Sequence, residues 1–160
     1  MSRAAKVSYQ TTQLVRDCCV CLHVQRAARA LARRFDQALR PLQLTSGQFS
    51  LLMSLNRPKA PTINAVAGLL AMDRSTLTAA LKPLARRALV RVKANPADRR
   101  SRLLTLTARG RSLLARAVPV WKRTHAHVEG LIPDGDPGSL RNNLRALSSS
   151  LRRSPIIPPH

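Results

Sequence analysis

Between residues 12 and 39 apolar side chains return every three or four positions: Leu14, Cys18, Cys21, Leu22, Ala28, Leu31, Phe35 and Leu39. That spacing predicts one long helix with a single apolar face. Arg26, Arg29, Arg33 and Arg34 decorate the remaining surface, Pro41 stops the run, and residues 1–10 read as a loose arm. Thr45-Ser46-Gly47-Gln48 is a capping box. It opens a helix carrying Phe49, Leu51, Leu52 and Leu55, which fades at Asn56-Arg57-Pro58. Thr62 caps a short helix with Ile63, Val66, Ala67, Leu69 and Leu70, and Ala71-Met72 leads tightly into the next. That one spans 74–88, is capped by Asp73 and is striped by Leu77, Leu81, Leu84 and Leu89. Pro83 predicts a bend near residues 79–83.

The period then switches. Val90, Val92 and Ala94 alternate with Arg91 and Lys93, as in a half-buried strand. Asn95-Pro96-Ala97-Asp98 signals a turn, an arginine-rich stretch follows, and Leu103–Leu106 return as a second strand. Thr107 caps a long helix to about Val128 with a kink at Pro119. Residues 130–138 form a loop, Asp136 caps a last helix with Pro137 in its first turn, and a Pro-rich tail follows Leu151.

Two short helices, a hairpin and flanking long helices make a mainly α chain with a winged helix-turn-helix at its centre. The expected segments are an arm and helix over 1–44, the winged unit over 45–107, further helices over 108–153, and a tail over 154–160. Stripes on the end helices (Leu14, Leu22 and Leu31; Leu113, Leu114, Val118, Val120 and Trp121) lack a covering layer in this chain. A symmetric homodimer would bury them, with the end helices as its dimerisation elements.

The net charge of +21 on 160 residues then points to nucleic acid or another anionic surface as partner. A hydrophobic content of 44% is too high for a disordered basic tail. Aromatics make up only 2% of the chain. Single-strand binders need stacking platforms, so the scarcity favours duplex DNA. No apolar run is long enough to span a membrane. The start lacks the apolar core of a secretion signal, and three cysteines clustered in four positions make no disulfide framework. A reducing cytoplasm is the expected location.

Taken together, the motifs resemble the MarR (multiple-antibiotic-resistance regulator) family. The resemblance spans about Cys19 to Val128. It rests on Leu44-Thr45 before Gln48-Phe49-Ser50-Leu51-Leu52, on Asp73-Arg74-Ser75-Thr76-Leu77-Thr78, on Leu89-Val90-Arg91, and on Asp98-Arg99-Arg100 followed by Leu106-Thr107-Ala108-Arg109-Gly110. It implies an obligate homodimer with a winged helix on each side, binding pseudo-palindromic operators, mostly as a repressor. It also implies release of DNA when a small molecule or oxidant arrives.

Candidate DNA contacts are Arg74, Ser75, Thr76, Thr78 and Lys82 on the first half of the recognition helix, with Arg86 toward its end. Arg74 suits a guanine, and the hydroxyls suit bases or phosphates. The competing reading is that Ser75 and Thr76 are helix caps. On the wing, the resemblance implies that Asp98 steadies Arg100, which enters the minor groove flanked by Arg99 and Arg102. The plainer reading is a solvated turn with a weak surface ion pair.

Cys18, Cys19, Cys21 and His23 are candidate sensing residues. In a continuous helix Cys19 and Cys21 point nearly oppositely, which makes a disulfide between them poor. Cys19 and His23 are spaced to share a soft metal or metalloid. Thiol-sensing branches of the family place a reactive cysteine near the start of this helix. The alternative is that these cysteines are small hydrophobes. The resemblance also implies an effector pocket, for which Arg26, Phe49, Met53 and His23 are candidates. No catalytic residue, cofactor or defined metal site is expected: phosphate-loop glycines, paired metal ligands and a nucleophile constellation are missing. The competing function is a sequence-neutral basic architectural protein.

Overall fold

Leucines spaced for helix faces converge on one core. Leu39, Leu51, Leu52, Leu77, Leu84, Leu89 and Leu104 are almost fully buried, with Val66, Leu113, Leu114 and Ala117 beside them. The computed structural model describes residues 6–153, apart from the side chains of Arg99, Asp134, Arg152 and Arg153. Two compact units result, one ending at Trp121 and the other starting at Lys122.

In chain order the helices are α1 (Tyr9–Cys18), α2 (Val20–Leu39), α3 (Ser46–Ser54), α4 (Ile63–Leu69), α5 (Arg74–Arg86), α6 (Ala108–Glu129) and α7 (Pro137–Arg153). Single 3-10 turns occupy Arg40–Leu42 and Pro133–Gly135. Strands β1 (Val90–Asn95) and β2 (Asp98–Leu106) pair antiparallel, Val90 opposite Leu106 and Ala94 opposite Arg102. The expected mainly α winged helix-turn-helix is the observed fold. Leu104 N–H donates to the Pro61 carbonyl at 2.9 Å, and Thr62 bridges Leu103. The segment before α4 thereby holds the wing on its second edge.

Caps fall where the sequence puts them. Thr45 Oγ1 accepts Gln48 N–H at 3.2 Å while Gln48 Oε1 accepts Thr45 N–H, the reciprocal box. Thr62 accepts Ala65 N–H at 3.1 Å, Thr107 accepts Gly110 N–H at 2.9 Å, and Asp136 accepts Ser139 N–H at 2.8 Å. The stop signals are less obvious. Gln43, Ala71 and Ala88 adopt left-handed backbone with φ of 53–54°. Each closes the preceding helix by a bond five residues back: Leu44 to Leu39, Met72 to Ala67, and Leu89 to Leu84. These are Schellman-type ends built without glycine.

Several expectations need correction. The N-terminal helix begins at Tyr9 with Ser8 as its cap, so part of the predicted arm is helical; residues 1–5 lie outside the described residues. The long helix is two helices: Cys19 has extended backbone (φ −74°, ψ 103°) and ends one while starting the other. A His23 ring nitrogen lies 3.2 Å from the Asp17 carbonyl that the break leaves without a helical partner. Both α5 and α6 run through their prolines, Pro83 and Pro119, as the apolar stripes led one to expect. The arginine-rich stretch after the turn belongs to β2. Val92 and Ala94 are exposed, because the two-stranded wing has nothing over it beyond its root. Leu113, Leu114, Val118, Val120 and Trp121 pack into this chain's own core. The final helix runs to Arg153, and the tail over 154–160 lies outside the described residues.

Gly110 is buried, and a Cβ there would stand 2.1 Å from the Leu89 carbonyl oxygen. Gly110→Ala therefore forces α6 off the wing root and should cost about 1–3 kcal/mol. Ala88→Gly removes a left-handed alanine at an exposed position and should stabilise by about 1 kcal/mol. Urea midpoints should move in opposite directions at constant m-value; equal midpoints would contradict both assignments.

Candidate nucleic-acid interface

The recognition helix α5 begins at a densely bonded carboxylate. Asp73 Oδ1 accepts Thr76 N–H at 2.7 Å and the Ser75 hydroxyl at 2.5 Å, and Oδ2 accepts the Thr76 hydroxyl at 2.6 Å. These bonds, the Ser75 hydroxyl foremost, hold the Asp73 carboxyl far below the usual carboxylate range. The negative charge also sits at the positive end of the helix dipole. Thr78 Oγ1 donates to the Arg74 carbonyl at 2.7 Å. The three candidate hydroxyls are therefore exposed, but each directs its proton into its own chain. Toward a groove they offer lone pairs, which suit the exocyclic amines of adenine or cytosine.

Arg74, Lys82 and Arg86 are exposed along α5. Arg87 differs. It is half-buried and donates to the Gln43 carbonyl at 2.5 Å, with Leu42 O at 3.5 Å, anchoring the end of the helix to the turn before α3.

On the wing, Asn95 Oδ1 accepts Ala97 N–H at 3.1 Å, and its amide donates to Ser101 Oγ at 2.7 Å. Asp98 Oδ1 accepts Arg100 backbone N–H at 2.9 Å. Asp98 thus fixes the Arg100 backbone, and no Asp98–Arg100 ion pair forms among the described residues. The Arg99 side chain lies outside them. A narrow cleft is lined by Thr62, Asn64, Arg74, Arg100, Ser101 and Arg102. The fold therefore brings the head of the recognition helix and the wing arginines to one place. Asn64 and Thr62 were not legible as members of this site, because their only sequence signal was that of a helix start.

The candidate sensing residues cluster at the α1–α2 break. Cys18 and Cys21 are exposed, Cys19 is half-buried, and all three are free thiols. Gln25 Nε2 donates to Cys21 Sγ at 3.1 Å. The break replaces the continuous-helix geometry from which the Cys19–Cys21 relation was judged. No group of three or more metal-ligating side chains that could hold an ion exists among the described residues. Of the candidate pocket residues, Phe49 is buried and stacked on Trp121 at 6.0 Å between ring centroids, while Arg26 and Met53 are exposed. No helix among the described residues is long and apolar enough to cross a membrane.

Comparison with known proteins yields a consistent set. The model of the MarR family matches residues 44–101. The transcriptional regulator MosR of M. tuberculosis, solved in complex with DNA, is 36% identical over 84% of this chain and 97% of its own, with a TM-score of 0.77. BpsR of Bordetella bronchiseptica, whose DNA binding is regulated by 6-hydroxynicotinic acid, is 29% identical over 81% of this chain and 92% of its own, with a TM-score of 0.72. A cysteine-to-serine mutant of MarR from E. coli, complexed with operator DNA, shares the fold at 21% identity and a TM-score of 0.74, over 84% of this chain and 96% of its own. No curated protein matches the sequence significantly.

The Asp73 cap yields a signed pH dependence. A depressed folded-state pKa contributes stability that is present above the unfolded value, about 4, and is lost as pH falls below it. Thr76 amide protection should decline on acidification from about pH 4. Asp73→Ala should remove that protection at neutral pH, whereas Asp73→Asn should keep much of it. Hydrogen exchange at Thr76 that is indifferent to pH and to both substitutions would contradict the cap.

Proposed function

This chain belongs to the MarR family of transcriptional regulators, and on that premise we propose that it is a homodimeric repressor. It reads a pseudo-palindromic operator through α5 and the wing. The carrying observation is the convergence of Arg74, Arg100 and Arg102 on one cleft between helix head and wing. In this reading Arg74 pairs with a guanine edge in the major groove. Ser75, Thr76 and Thr78 accept from base amines, Lys82, Arg86, Arg99 and Arg102 hold phosphates, and Arg100 reaches the minor groove. Segment 45–107 is the reading unit, and segments 1–44 and 108–153 form the dimer. Support for the dimer comes from apolar side chains left exposed on α1 and α2 (Leu14, Val15, Val20, Val24, Leu31) and on α7 (Leu140, Leu144, Leu147, Leu151).

Relief of repression by a small ligand, an oxidant or a metal(loid) belongs to the same proposal. The ligand-regulated relative BpsR and the exposed thiols Cys18 and Cys21 support it. The competing architectural reading rests on net charge alone and predicts no preferred site.

Fragment selection from genomic DNA followed by footprinting tests the two readings. Half-sites about 10 base pairs apart, or a multiple of this, are expected on a preferred site. Equal affinity for random duplex would favour the architectural reading. Arg100→Ala should weaken binding on every sequence and reduce the salt slope by about one, and Arg74→Ala should relax preference at one operator position. Sedimentation should give a dimer at working concentration. A triple Cys→Ser protein should stay on DNA under peroxide; release equal to the parent would remove the thiols from the mechanism.

A further inference from the structure

Apart from the cleft between α5 and the wing, and sharing no residue with it, three arginines border a second cavity. Arg87 comes from the end of α5, and Arg109 and Arg116 come from α6. Ser112 lies between the latter two, and the spacing 109, 112, 116 puts all three residues on one helix face. Gln43 and Pro41 close the other side. The cavity holds about 250 Å³, below the usual range for drug-sized ligands and ample for a small ion with part of its carrier.

Among the described residues no carboxylate lines this cavity. The described carboxylates are engaged elsewhere: Asp17 with Arg16, Asp36 with Ser46 N–H, Asp73 and Asp98 at their own turns, Glu129 with Arg141, and Asp136 with Ser139 N–H. Arg109 and Arg116 have no hydrogen-bond or ion-pair partner among the described residues. Arg87 is already fixed by the Gln43 carbonyl, so one guanidinium of the three is oriented in advance. Like charges gathered around a concave site without a counter-charge leave a local excess that only an external anion removes. Guanidinium forks from two helices, with a hydroxyl beside them, match the oxygens of a tetrahedral anion better than the two coplanar oxygens of a carboxylate.

The position of the cavity argues against a DNA phosphate as occupant. Unlike its exposed neighbour Arg86, Arg87 is half-buried and turns its guanidinium to the Gln43 carbonyl, toward the turn before α3. Leu89, also in the wall, stands at the root of the wing and away from its Asn95–Asp98 tip. We propose that this cavity binds a free phosphate ion or the phosphate group of a small molecule, held by Arg87, Arg109, Ser112 and Arg116. The site stands on its own geometry and does not depend on the operator reading. Its occupant would touch Arg87, the residue that anchors the end of α5.

The test uses the full chain and inorganic phosphate, with ionic strength held constant by chloride. The thermal midpoint should rise saturably, by roughly 2–6 °C. Arg109→Ala/Arg116→Ala should abolish the rise. Arg91→Ala/Lys93→Ala, an equal loss of charge on the wing, should keep it. Arg109→Lys/Arg116→Lys retains the charge without the forks and should need about tenfold more phosphate for the same effect. Absence of a saturable rise in the parent, or the same rise in the alanine double variant, would overturn the proposal. Random-duplex affinity provides the second arm. The alanine double variant should keep the parental salt slope; a slope shallower by about two would assign the arginines to the DNA backbone instead.

Discussion

One carbonyl governs the geometry of the winged unit. The oxygen of Leu89 accepts Thr107 N–H at 3.1 Å, with Thr107 Oγ1 3.2 Å away, and Gly110 is pressed against it so closely that no side chain fits. Thr107 Oγ1 also donates to the Ala88 carbonyl at 2.7 Å. At this point the recognition helix has just ended, β1 is about to start, and α6 departs after β2 has returned. Helix, wing and α6 are thus referred to a single peptide unit. The distance between Arg74 at one end of the helix and Arg100 near the wing tip follows from that junction. A single side-chain methyl at Gly110 would alter all three directions together.

Charge is distributed with similar economy. Among the described residues, carboxylates serve local structure: they cap α5 and α7, receive the Ser46 amide, brace the wing turn, or pair with an arginine close by. None lines the cleft of Arg74, Arg100 and Arg102 or the cavity of Arg87, Arg109 and Arg116. A surface of this kind gathers mobile anions, and its interactions weaken as the Debye length shortens. Among the described residues no charged side chain is buried in the aliphatic core, so the excess is carried outside it.

Much of this was legible in the sequence, and the misses share a physical character. Apolar spacing identified α3 to α6 and the wing, and Thr45, Thr62, Asp73, Thr107 and Asp136 marked helix starts because a capping side chain leaves a chemical signature. Helix ends were harder, since Gln43, Ala71 and Ala88 adopt a backbone conformation that their side chains do not announce. The break at Cys19 was hidden by an apolar pattern that runs through it, and the His23 contact that completes it is a tertiary detail. The anchoring role of Arg87 was not legible, because its carbonyl partners lie more than forty positions away. Leu113 and Leu114 were assigned to a partner chain because a sequence pattern shows that a face is buried without showing against what. For Ser75 and Thr76 the sequence offered base contact or helix capping, and the Asp73 bonds show the capping role.

The left-handed alanines carry one more implication. Such a conformation is held against its intrinsic preference, by the five-back bond and by an apolar neighbour packed on the core, Met72 after Ala71 and Leu89 after Ala88. Cut out of its surroundings, the α4–α5 pair or the α5–wing pair would keep that bond and lose the shared core that its leucines join. The unit therefore has no self-sufficient fragment: its parts are cooperative, and local loosening at one corner is shared by the others.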